Sequence, residues 1–227
     1  GRVLLVSTGN LFLEQLLASL QGLQAFRLNP PADVALELPA ADYDLYIFDG
    51  VAPAELPPAP ASMLMINPPD TPLLPVTGVF TDTQPASLSA SPLLEAVDWS
   101  QVHIRQARQV SQPAWLTPLI SSPGGPLLLA GEQKRQRLAV LTFALQDSDL
   151  PLQTAYPILM ANLVRYLLPL SDPLATASAT GHVQPEQSER LTTTIVIISN
   201  QALRRIQAQR LRRAWEAYSA ITAHKRT

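Results

Sequence analysis

Cysteine is absent from the 227 residues, and with it go thiol nucleophiles, cysteine-ligated zinc, iron–sulfur clusters and disulfide frameworks. The same absence is neutral about redox compartment. Histidine is nearly as scarce: His103, His182 and His224 lie far apart, leaving little material for a metal site or a histidine-based relay. Only 15 % of residues are charged and 6 % aromatic. No apolar run approaches the ~18 residues of a membrane-spanning helix, and no signal peptide opens the chain. A Gly-x-Ser-x-Gly elbow is missing, as are the glycine-rich dinucleotide fingerprint and the phosphate loop with its Lys-Ser/Thr end. Ser7-Thr8-Gly9-Asn10 holds a single glycine, which leaves either a weak anion site at a helix start or a plain strand-end turn.

What is present is a globular composition, with 47 % hydrophobic residues, 22 Pro and a net charge of −2. The length suits one large domain, or one domain with an appendage, able to build a core without disulfides. The near-neutral total hides an asymmetry. Residues 1–200 carry 9 basic against 17 acidic residues, whereas 201–227 carry 7 basic residues against Glu216 alone. That basic tail, with Arg204, Arg205, Arg210, Arg212 and Arg213, reads either as a solvated helix face or as a contact for an anionic surface; no specific nucleic-acid partner is expected. The chain starts on Gly1, just ahead of an apolar run, which reads as a trimmed end with further segments beyond it.

Short apolar runs bounded by turn residues mark buried parallel strands. Val3–Ser7, the weaker Ala25–Leu28, Tyr43–Gly50 and Ser62–Asn67 fit this pattern. Asn10 is placed to cap a helix carrying Leu11, Phe12, Leu16, Leu17 and Leu20, with Gly22 as its stop. Between 70 and 110 the signal fades: Val76–Thr83 reads as an edge strand, Pro92–Val97 as a helical turn, and Val102–Arg108 equally as helix or strand. Ala114–Ile120 is a strand, and two apolar runs flanking 131–136 read as a hairpin. Asp147-Ser148-Asp149 offers cap oxygens to a final helix stopped by Pro169, with Pro151 in its first turn and Pro157 expected to kink or delay it. Residues 170–190, rich in Ser, Thr, Ala and Pro, read as a linker. A strand over 191–199 and an arginine-rich helix over 201–222 follow. The predicted core comprises Val3, Leu5, Ile47, Phe48, Leu64, Ile66, Val140, Leu141 and Phe143.

Polar residues at strand ends are the candidate ligand groups, because open α/β sheets bind ligands beyond the carboxyl ends of their strands. These are Asn10, Asp49, Asn67, Asp147 and Asp149. Convergence of the carboxylates would suit a small molecule or a metal ion; the alternative is that each only caps a helix or closes a turn. His103, beside Arg105 and Arg108, reads as a surface residue.

The segments VLLVSTGNLFLEQLL (3–17), YDLYIFDGVAPAELP (43–57), MLMINPP (63–69) and, above all, the block from 125 to 169 resemble a domain of bacterial membrane-anchored proteins. Those proteins pair it with a von Willebrand factor A domain, and it is of the class I glutamine amidotransferase-like, flavodoxin-like type. The resemblance spans about residues 2–169. It implies an open, mostly parallel α/β sheet with helices on both faces and a late β-hairpin. Three segments follow: the α/β domain (1–169), the linker (170–190) and a basic C-terminal strand/helix appendage (191–227). Active members of the type carry a cysteine after a central strand and a His-Pro-Glu after a late one. Here the first position runs into Asn67-Pro68-Pro69 and the second into Ala144-Leu145-Gln146-Asp147. The expectation is therefore a non-catalytic interaction domain without a cofactor. Its partners would be proteins or other domains of the parent chain, and membrane attachment would come through segments outside this otherwise soluble fragment. The arginine-rich tail departs from the family pattern.

Overall fold

Residues 1–32 and 35–168 are described by the computed structural model. In chain order they form β1 (Arg2–Val6), α1 (Leu11–Ser19), β2 (Gln24–Leu28), β3 (Leu45–Asp49), β4 (Ser62–Ile66), β5 (Val76–Thr83), β6 (Ser87–Leu88), β7 (Ile104–Val110), β8 (Leu116–Ser122), β9 (Gly125–Gln133), β10 (Gln136–Leu141) and α2 (Ala155–Leu167). Eight strands make one sheet in the order β2-β1-β3-β4-β10-β9-β8-β6. The first five run parallel and the last three alternate antiparallel. With β10 taking the fifth place, the parallel half has the flavodoxin-like order 2-1-3-4-5. The register runs straight across: Val6 lies beside Phe48, Phe48 beside Met65, and Met65 beside Val140.

The apolar strand runs are explained by burial on both faces. Val3, Leu5, Ile47, Leu64, Ile66 and Leu141 point to one side, where Leu13, Leu16 and Leu17 of α1 and Leu159, Met160 and Leu163 of α2 cover them. Leu4, Val6, Phe48, Met65 and Val140 point to the other side. All nine predicted core residues are buried. The expected helices on both faces are replaced, among the described residues, by two helices on one face. The second face is covered by irregular segments that contribute Leu36, Ala61 and Leu74, together with Val110 and Leu116. Proline explains the difference. Eleven prolines fall between positions 30 and 75, and a residue without an N–H cannot sit in a helix interior without breaking its ladder.

Three local features depart from the sequence pattern. The β9–β10 turn is tighter than 131–136, with only Lys134 and Arg135 at its tip, both at positive φ (50° and 63°), as a two-residue hairpin turn requires. Strand β5 is no edge of the main sheet: it pairs with β7 in a separate two-stranded ribbon. The ribbon is tied down by the Arg108 N–H, which donates to the Thr142 carbonyl beyond β10 at 2.8 Å. Asp147 and Asp149 do not cap α2. A 3-10 turn at Leu150–Leu152 separates them from its start, where Thr154 is the cap residue without a side-chain bond. Pro157 then falls in the first turn of α2, where its missing N–H breaks no bond. The linker, the terminal strand and helix, and the basic tail with its arginines lie outside the described residues.

Candidate functional site

The chain moves from β1 to β2 on one side and then to β3 on the other, so the topological switch lies between the ends of β1 and β3. Ligands of open α/β sheets enter at such a point. Three polar side chains meet there. The Ser7 hydroxyl donates to Asp49 Oδ2 at 2.7 Å, and Asn10 Nδ2 donates to the same oxygen at 3.0 Å. Ser7 also accepts the Gly9 N–H at 3.1 Å, closing the tight turn in which Gly9 holds a φ of 134°. Ser7 and Asn10 are buried, and Asp49 is half-buried.

Asn10 has two roles in this turn. Its Oδ1 accepts the Leu13 N–H at 3.4 Å, capping α1, while its amide nitrogen holds the Asp49 carboxylate. Asn10→Ala removes both. The expected loss is ~1–2 kcal/mol, from the cap together with a charge-assisted bond, measured by urea denaturation; a change below ~0.3 kcal/mol would contradict the arrangement. Beneath the cluster, the Tyr156 ring meets Phe12 edge-on at 6.4 Å between centroids. Its hydroxyl is buried and has no hydrogen-bond partner among the described residues. Burial, and secondarily the Asp49 charge, push that phenol far above its ordinary pKa.

One strand along, β4 ends in Asn67, whose φ of 49° places it in the left-handed region that asparagine tolerates better than most residues. Its N–H donates to the Leu141 carbonyl at 2.8 Å, and its Oδ1 accepts from Arg108 Nε at 2.7 Å. Pro68 and Pro69 follow in irregular backbone.

Asp147 and Asp149 face the ribbon instead. Asp147 is ion-paired with Arg105, and that pairing raises the arginine pKa. Asp149 Oδ1 accepts the His103 N–H at 2.8 Å, and its own N–H donates back to the His103 carbonyl at 3.2 Å. The five sequence candidates therefore separate into Asn10 with Asp49, Asn67 with Arg108, and two aspartates that hold the start of β7. Among the described residues no three of His, Asp or Glu gather where they could share a metal ion. Sequence reasoning missed Ser7, Arg108 and Tyr156. Ser7 was legible in part: a polar residue ending one strand meets a carboxylate ending its neighbour once β1 and β3 are recognised as adjacent.

No protein-family model and no curated protein matches the chain. Solved structures are similar to it. A cytoplasmic protein of Salmonella typhimurium matches at 13 % identity and a TM-score of 0.53, over 73 % of this chain and 98 % of its own. A second cytoplasmic protein, from Salmonella typhimurium LT2, matches at 11 % and 0.53, over 74 % and 99 %. A glutamine amidotransferase from Thermotoga maritima is similar at 13 % identity and a TM-score of 0.40, over 90 % of this chain and 96 % of its own. At these identities the Salmonella likenesses are likenesses of fold. Together with the strand order they make this a mixed α/β domain of flavodoxin-like architecture.

Proposed function

We propose that residues 1–169 form a non-catalytic interaction domain, an amidotransferase-like fold with a vacated active position, within a larger membrane-anchored protein that also carries a von Willebrand factor A domain. The observation that carries this reading is the end of β4. By the resemblance, the place of a nucleophile falls at Asn67, a side chain with no acid–base chemistry at neutral pH, which accepts from Arg108. The following residue, which on a nucleophile elbow donates its backbone N–H to the oxyanion, is Pro68 and has no N–H to give. Among the described residues the single histidine, His103, is exposed and its backbone is bonded to Asp149, whereas a serine nucleophile needs a base in hydrogen-bond reach. The Ser7 hydroxyl instead donates to a carboxylate that also holds Asn10.

The purified chain is expected to release no ammonia from glutamine and to hydrolyse no activated ester above the buffer rate. Turnover abolished by a single substitution at Ser7 or Asn67 would overturn the proposal. A second reading, small-molecule binding at strand ends, is favoured by the meeting of Asn10 and Asp49 at the switch between β1 and β3. Asp49→Asn would weaken such a ligand while leaving the hydrolysis result unchanged, which separates the two readings.

A further inference from the structure

The arginines of the described residues are nearly all accounted for. Arg27 pairs with Glu14, Arg105 with Asp147 and Arg137 with Glu132, while Arg2 lies over the rings of Phe26 and Tyr43. Arg135 and Arg165 are exposed. Arg108 differs from all of these. It is half-buried, yet among the described residues no carboxylate lies within ion-pair distance and no ring lies under it. Its main chain is fixed to Thr142 and its Nε to Asn67, so the guanidinium is aimed by two bonds rather than free to sweep solvent.

The donor inventory at this point is one-sided. Arg108 uses only Nε, leaving both terminal nitrogens, and Asn67 spends its oxygen on Nε, leaving Nδ2 to donate. The location is the carboxyl end of β4, where its neighbour β10 also ends and where α/β sheets take ligands. A partly buried cation without a counter-ion is costly, and a planar fork of N–H groups matches the paired oxygens of an oxyanion.

We infer that Arg108 and Asn67 form a binding site for an oxyanion, a carboxylate or phosphate group of a small ligand, at the end of β4. The site shares no hydrogen bond with the Ser7–Asn10–Asp49 cluster and stands whether or not the domain is catalytic. Arg108 supplies the charge and the bidentate fork, and Asn67 both orients that fork and adds a donor.

The test titrates inorganic phosphate alone, and malonate alone, into the full chain, followed by calorimetry and by the 15N shifts of arginine Nε. Saturable binding of at least one anion is expected, with a shift at the Arg108 Nε of the unaltered protein. Arg108→Gln should weaken it by about tenfold or more, as loss of a charge-assisted bond implies. Arg108→Lys, which keeps the charge without the fork, should fall between. A preference for phosphate identifies a phosphorylated ligand, and a preference for malonate a carboxylate. No saturable binding of either anion, or equal binding by a folded Arg108→Gln protein, would overturn the inference. The Nε shift needs no variant, so the result survives a variant that fails to fold.

Discussion

Truncating Phe48 to Ala is expected to cost ~3–5 kcal/mol, and Phe143→Ala a similar amount. Both rings are fully buried. Phe48 sits in the middle of the parallel sheet with Val6 beside it on β1 and Met65 beside it on β4, and its ring stacks near that of Tyr46 at 6.2 Å. The neighbours that would have to collapse into the gap are strand residues held by ladders on both sides, so the cavity stays largely open. In a domain of this size that loss lowers the melting temperature by roughly 6–20 °C. Urea denaturation with an unchanged m-value checks it; a change below ~1 kcal/mol would refute the full burial of these two rings.

Gly131→Ala should be of comparable severity, at least ~3 kcal/mol, at or above the upper end of ordinary overpacking. Gly131 lies on β9 opposite Leu116 of β8. A methyl group there would stand 2.2 Å from the Trp115 carbonyl oxygen and 3.2 Å from Leu116 Cα. Those are backbone atoms of the paired strand, and they can retreat only if the two strands part. Gly124 provides the internal comparison. A methyl at Gly124 meets the Phe80 ring at 2.4 Å and Phe80 Cβ at 2.9 Å, so relief there shifts the β5–β7 ribbon, which is separate from the main sheet, instead of parting two paired strands of that sheet. Gly124→Ala is therefore expected to cost clearly less, and thermal melts of the two variants side by side decide the point. Equal effects would mean that the β8–β9 pairing is looser than its register implies.

The parallel strands β1, β3 and β4 were legible because burial on both faces forces continuous apolar runs such as VLLV, LYIF and MLMI. The ribbon was not, because strands such as IRQARQV in β7 bury only scattered positions, and a pattern of that kind fits a helix as well as a strand. The loss of the crossover helices from one face was not anticipated; the pairing of β1 with both β2 and β3 assigns the sides. The candidate site divides in the same way. Asn10 was readable as a cap because its partner, Leu13, is three residues away. Its bond to Asp49 spans 39 residues, and Arg108 reaches Asn67 across 41, separations over which local pattern carries no information. Asp147 and Asp149 misled for a related reason. Their caps-to-be lay close in sequence, but Arg105 and the backbone of His103, brought in by the ribbon, took the carboxylates.

The place of β10 has a consequence for how the chain acquires its fold. The strand that seals the middle of the sheet is the last of the described strands in chain order, and it pairs Leu138–Leu141 with Met63–Ile66 across more than 70 residues. Until it leaves the ribosome, β4 presents a bare apolar edge of five buried-type residues, a template for pairing with other nascent chains. Closing so long a loop before any reward arrives also slows folding. Fragments ending before position 141 thus carry most of the described strands and lack the full closure, and aggregation is their expected fate.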